Sequence, residues 1–177
     1  MVTIADIPNS AEARMILTAH AMISMYANGE CSLSNIERSC FCAEHCQRTG
    51  RTSPDIAILL CGPTIVAFDE NKQLLGWIGY MKQACGTIFL HSFCVPHQHR
   101  CAGIGKLLLE TVISRDPTAR YKLTVITPTK NTRSAIATAE LAKREKRLLR
   151  LYNSFGFKTA AHENDYVVMV RSAIANS

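Results

Sequence analysis

"HSFCVPHQHRCAGIGKLLLE", His91 to Glu110, changes character twice within twenty residues. An apolar run stops at Pro96, a polar patch of His97, Gln98, His99 and Arg100 follows, and Gly103 and Gly105 open a segment of helical periodicity. Ile104, Leu107, Leu108, Thr111 and Val112 fall on one side of that segment, which predicts a helix from Gly103 to Arg115, ended by Asp116 and Pro117. Upstream of Pro96, Thr87 to Val95 reads as a strand that begins after the break at Gly86. The stretch is therefore a strand, a short polar turn and a helix.

Such a turn has a chemical use. The first N–H groups of a helix have no partner within it, and the helix dipole adds positive character there. Phosphates bind at such places. Gly103 and Gly105 lack side chains that would hold a phosphate off the backbone, while Arg100 and Lys106 add charge. Arg100, Cys101, Ala102, Gly103, Ile104, Gly105 and Lys106 can together cradle a pyrophosphate. The spacing is neither the dinucleotide fingerprint nor the P-loop. A glycine-rich turn with an incidental arginine is the structural alternative, and the turn by itself leaves both readings open.

Outward from this stretch, Val2 to Asp6 reads as an opening strand before Pro8. Met15, Ile16, Ala19, Ile23 and Tyr26 predict a helix from near Ala11 that stops at Gly29, and a second helix is expected from Ser32 or Ser34 to about Gln47. Ile56 to Cys61, Thr64 to Asp69 and Gln73 to Lys82 are strand signals separated by short turns, as in an antiparallel meander. After the central helix come a strand in "YKLTVIT", a long helix from about Thr132 to Phe155 capped by Gly156, and a last strand at Tyr166 to Val170. The order predicts an α/β (α+β) fold in one domain over residues 1–177, without internal repeat or linker.

The chain has 177 residues, 47% of them hydrophobic, enough for one self-sufficient core. Twenty Lys and Arg against fourteen Asp and Glu give a formal charge of +6, which favours an anionic ligand. The densest basic run, Lys143, Arg144, Lys146 and Arg147, is interrupted by Glu145 and has no aromatics for base stacking, so nucleic acid is not an expected partner. No segment reads as a secretory signal or as the roughly twenty apolar residues of a membrane span. An intracellular, cytoplasmic protein with reduced thiols is expected. Cys31, Cys40, Cys42 and Cys46 cluster beside His45, but no paired knuckle spacing is present and helical spacing spreads them over more than one face. They read as small hydrophobes, and no metal is expected. Cys61, Cys85, Cys94 and Cys101 read as packing residues.

Arg100-x-x-Gly103-x-Gly105 after a strand ending in Val95 resembles the acyl-CoA-binding motif of the GNAT N-acetyltransferase superfamily. "LYNSFGFK", Leu151 to Lys158, is similar to its C-terminal Tyr-x-x-x-Gly-Phe, and the element order agrees from Val2 to about Arg171. The resemblance implies a mixed, mostly antiparallel central sheet with splayed central strands and helices on both faces. It implies acetyl-CoA as acyl donor and direct transfer to a primary amine. It assigns backbone groups of Phe93, Cys94 and Val95 to the pantetheine and the thioester oxygen, and those of Cys101 to Lys106 to the pyrophosphate. Asn131 matches a residue that touches the pantetheine, at a longer distance from Val125 than usual. Tyr152 matches the general acid, with packing beside Phe155 and Phe157 as its structural alternative.

Strand alternation puts Phe89, His91 and Phe93 on one face, and His91 is the titratable member. Arylalkylamine-type members carry H-x-H-x-L-x-V here; this chain reads Phe89-Leu90-His91-Ser92-Phe93-Cys94-Val95, keeping the second histidine. A structural histidine and deprotonation through water stay open beside a catalytic role. From Asn131 to Tyr152 the chain is longer than in most relatives, which predicts a helical insertion at about 134–150. The Ser32 to Gln47 helix, with Asn35, Glu37, Arg38 and Phe41, would line the acceptor site.

The expected acceptor is a small amine, such as an arylalkylamine or polyamine. The alternatives are a protein or peptide acetyltransferase, acting on lysine or an N-terminus, and a non-catalytic CoA-binding module. A +6 chain suits basic peptides poorly, an objection polyamines share. Tyr152 and the intact cradle argue against the module. The turn reads CoA rather than the acyl group, so longer acyl donors stay open.

Overall fold

The computed structural model describes residues 1–7, 63–126, 135–163 and 166–173. The helices expected within residues 11–47, the strand expected at 56–61, the cysteine cluster with His45, and Asn131 all lie outside the described residues. The described chain divides into two compact units, Met1–Met81 with His91–Arg115, and Lys82–Leu90 with Asp116–Ser177.

In the first unit, β1 (Thr3–Ile7) pairs antiparallel with β2 (Thr64–Phe68), Ala5 opposite Val66. β2 pairs antiparallel with β3 (Leu74–Lys82), Thr64 opposite Gly79. The β2–β3 turn forms because Asp69 Oδ1 accepts from the N–H groups of Asn71 at 2.9 Å and Gln73 at 2.8 Å. The buried Val66, Leu74 and Trp77 form a cluster against which Ala5, Ile7, Phe68 and Cys94 pack.

α1 (Ile104–Ser114) packs on β2 and buries Ile104, Leu108, Leu109, Val112 and Ile113. Leu107 and Thr111, expected on the inner face, are half-buried, while Leu109 and Ile113 are fully inside. The apolar stripe is thus wider than the sequence reading made it. Each fully buried aliphatic side chain stabilises the fold by about 1.5–3 kcal/mol. Just past α1, Arg115 reaches both carboxylate oxygens of Asp6 on β1 and donates to the Tyr80 hydroxyl on β3 at 2.9 Å. Its guanidinium lies 5.8 Å from the centre of the Tyr80 ring.

In the second unit the strand order is β5-β7-β6, with β5 at Tyr121–Ile126, β6 at Lys158–Glu163 and β7 at Tyr166–Arg171. β5 and β7 are antiparallel and in register over six residue pairs. β4 (Ile88–Cys94) begins here, parallel to β5, with Ile88 opposite Tyr121 and Phe89 opposite Lys122. That register ends at Phe89, short of the motif residues that follow on the same strand. α2 (Ala135–Ser154) packs on β5 and ends as expected at Gly156, whose φ of 81° is open to glycine at little cost. Of the predicted insertion, residues 135–150 lie within this one continuous helix.

The mixed, mostly antiparallel α/β architecture agrees with the sequence reading. β6 was not foreseen in it. "KTAAHE" carries no β-branched or aromatic run, and all six side chains are exposed, so pairing with β7 holds it extended rather than its own preference.

Candidate functional site

Along β4 Ile88, Phe89, Leu90 and His91 are all buried, and Phe93 and Cys94 are half-buried, so burial does not set the face of Phe89, His91 and Phe93 apart. His91 is 6% exposed, and its imidazole lies against Gly79 of the neighbouring β3. The end of β4 is held equally closely. A Cβ on Gly76 would come within 2.9 Å of the Cys94 carbonyl oxygen, 3.2 Å of Val95 Cγ2 and 3.3 Å of Ile104 Cγ2. Glycine at 76 therefore lets the end of β4 and the start of α1 close on β3 together.

After β4 the chain makes a 3-10 turn over His97–His99, closed by the His99 N–H donating to the Pro96 carbonyl at 2.9 Å. His99 is half-buried, and its Nε2 is buried without a hydrogen-bond partner among the described residues. Arg100 folds back, and its Nε donates to the Val95 carbonyl at 3.0 Å. Cys101 follows with φ 64° and Gly103 with φ 80°. Gly103 is the N-cap of α1. It supplies no side-chain cap, no acidic residue lies in the first turn, and a Cβ placed on it would meet nothing within 4 Å.

The start of α1 thus has no side-chain cap from Gly103 and no acidic residue in its first turn, and it follows the exposed Arg100. An anion with several oxygens fits this end of the helix. Phe93, Cys94, Val95, Arg100, Cys101, Ala102, Gly103, Ile104, Gly105 and Lys106 are brought together in the first unit as one strand-turn-helix. Lys106 is exposed and sits 3.7 Å from Glu110, so part of its charge is spent within the helix.

Tyr152 lies in the second unit, near the end of α2. It is buried, and its ring meets Phe157 edge-on at 5.9 Å. Burial pushes its phenol well above the ordinary value, against a weaker downward pull from the Arg144 charge. Its carbonyl accepts the N–H groups of Phe155 at 3.0 Å and Phe157 at 3.1 Å, so the Tyr-x-x-x-Gly-Phe motif doubles as the helix stop. In the same unit a surface cavity of about 600 Å³ is lined by Arg120, Phe155, Gly156, Lys158 and Arg171 among others, and by none of the candidate residues.

Two expectations on cysteines are corrected. Cys85 and Cys101, read as packing residues, are exposed, because both sit in turns rather than on a buried face. Hydrogen bonds involving Thr87 lower the Cys85 thiol below its usual range. Cys94 is half-buried and packs on the first unit's core. Among the described residues no group of three or more His, Cys, Asp or Glu could hold a metal ion, and no helix is long and apolar enough to cross a membrane. The sequence reading missed Gly76 and Gly79; the signal was a glycine inside a strand pattern, which marks a close approach.

A family model described as an acetyltransferase (GNAT) domain matches residues 62–159. No curated protein matches the chain. Solved structures do. The ribosomal-protein-S18-alanine N-acetyltransferase of Escherichia coli superposes with a TM-score of 0.54 at 15% identity, over 99% of this chain and 97% of that one. ElaA of Escherichia coli gives 0.55 at 16%, over 97% of this chain and 100% of its own. PH1933 of Pyrococcus horikoshii gives 0.57 at 18%, over 98% and 99%. At such identities these likenesses speak for the fold alone.

Proposed function

The chain belongs to the GNAT acetyltransferase family and is an acyl-CoA-dependent N-acetyltransferase, and from that premise we propose that it acetylates the primary amine of a small molecule, with acetyl-CoA as donor. The observation that carries the donor side is the start of α1, where Gly103 supplies no side-chain cap and the first turn holds no acidic residue, behind a turn that Arg100 ties to Val95. Backbone N–H groups of Cys101 to Lys106 hold the pyrophosphate there, and Arg100 adds its remaining donors. Phe93, Cys94 and Val95 offer main-chain groups to the pantetheine, as a sheet edge receives an extended ligand. Asn131 is assigned to the pantetheine by the family motif.

Acetyl-CoA supplies the activated acyl group; the chain supplies the proton transfers. An alkylamine near the lysine range is mostly protonated at neutral pH, so one proton must leave before or as the nitrogen bonds to the acetyl carbon. His91 takes it, since imidazole exchanges protons near neutrality. Tyr152 gives its hydroxyl proton to the sulfur as the carbon–sulfur bond breaks, and its phenolate is reprotonated by the second proton that the nitrogen loses on becoming an amide. Burial leaves the phenol protonated at neutral pH, so the proton is present to give, though it makes the phenol a weaker acid than usual. The net charge of +6, which repels lysine-rich peptides and polyamines alike, supports a small acceptor of low charge.

CoA release from acetyl-CoA, measured against arylalkylamines, polyamines, aminoglycosides, lysine-rich peptides and free N-terminal peptides, tests the proposal. Preferred turnover of one small amine supports it. Turnover of peptides alone replaces it with the peptide reading. Binding of acetyl-CoA with no turnover across the panel leaves a CoA-binding module.

A further inference from the structure

Gly79 lies in the interior of β3, between Ile78 and Tyr80 and opposite Thr64 of β2. The middle of a strand is a poor place for a residue without a side chain, unless something else needs the room. Here the occupant is identified. A Cβ on Gly79 would lie 2.5 Å from His91 Cε1, 2.8 Å from Nδ1 and 3.2 Å from Nε2. The volume that a side chain would fill thus holds the Nδ1–Cε1–Nε2 edge of the imidazole, which carries both nitrogens able to exchange a proton. With His91 only 6% exposed, the ring has little freedom to turn away.

We propose that Gly79 is a positioning residue for His91: by having no side chain it sets where the proton-accepting edge of the imidazole stands. The inference rests on the assignment of His91 as the base. A methyl group at 79 must displace the ring by a sizeable fraction of an ångström, and proton transfer is sensitive to displacements of that size. Gly76, three residues earlier, makes room for backbone and for α1, so the two glycines of β3 serve different parts of the neighbouring chain.

Steady-state kinetics of Gly79→Ala, His91→Ala and the double variant, with the best small amine of the panel, test this as a cycle. Gly79→Ala is expected to lower kcat by about ten- to a hundredfold with the KM for acetyl-CoA unchanged. With the ring removed there is nothing left to displace, so adding Gly79→Ala to His91→Ala is expected to change nothing further. Equal losses on both backgrounds would overturn the inference while leaving His91 as the base.

Full kcat in His91→Ala would instead remove the base assignment. The imidazole NMR resonances of His91 then decide the positioning: a shift on Gly79→Ala keeps it, and unmoved resonances end it. If Gly79→Ala fails to fold, the double variant is expected to fold as well as His91→Ala does. A double variant that also fails would overturn the inference.

Discussion

Arg100 holds Val95. Its Nε donates to the Val95 carbonyl at 3.0 Å, five residues back along the chain, so the arginine of the motif closes the turn as well as charging it. Two roles in one side chain can be separated by experiment. Arg100→Lys keeps a positive charge but loses the planar fork. It is expected to raise the KM for acetyl-CoA by about tenfold with kcat little changed, the worth of about one charge-assisted hydrogen bond. Arg100→Ala is expected to raise it further. A lysine variant with the parental KM would reduce the role of Arg100 to charge alone.

Gly76→Ala is a sharper test of how the end of β4 is held. The added methyl would stand 2.9 Å from a backbone oxygen, which cannot swing aside as a side chain can. Overpacking of this kind costs about 1–3 kcal/mol. Urea denaturation is expected to show that loss, and isothermal titration a weakened affinity for CoA, because Cys94, Val95 and Ile104 all face the new group. Unchanged affinity would mean that the end of β4 does not carry the pantetheine.

Tyr152→Phe removes one hydroxyl and little volume. Turnover is expected to fall by about a hundredfold, within the range of a lost general acid, with CoA affinity preserved. The same variant has a stability signature. Burial raises the Tyr152 pKa, so the native state keeps a proton that the unfolded chain gives up above about pH 10. Stability from this group is complete below that pH and declines as the pH rises beyond it. Denaturation midpoints of the parent protein are therefore expected to drop as the pH rises above about 10, and those of Tyr152→Phe to drop less.

Arg115→Ala addresses the fold rather than the chemistry. Arg115 joins β1 through Asp6 and β3 through Tyr80, but the pair is partly exposed, 33% on the arginine side and 60% on the aspartate side. Solvent screening limits it, and about 1 kcal/mol is the expected loss. Asp6→Asn is expected to lose about as much, and the double variant less than the sum. Salt should shrink the difference between parent and variant.

Which of these features could be read from the sequence follows from how local they are. α1, the strands around it and the Gly156 stop rest on spacing within about a dozen residues, and they stand where periodicity and turn residues put them, to within a residue or two. β6 does not, because its extended form is imposed by β7. Gly79 went unremarked for the same reason, its purpose being an imidazole twelve positions later on another strand. The cysteines at 85 and 101 counted as apolar in composition, but turns turned them outward. A residue's type carries over from the sequence reading; its neighbour across a strand does not.

Among the described residues β6 is an outer strand, paired with β7 alone, and this bears on how the protein behaves in concentrated solution. A strand exposed along its whole length is an invitation for another chain to add itself to the sheet. Here the invitation is withdrawn by the same residues that hid β6 from the sequence reading. Lys158 opens the strand, Glu163 closes it, and the slip of register between Thr159 and Ala161 breaks the regular ladder a newcomer would need. A sequence too weak to declare itself a strand is also too weak to seed an aggregate.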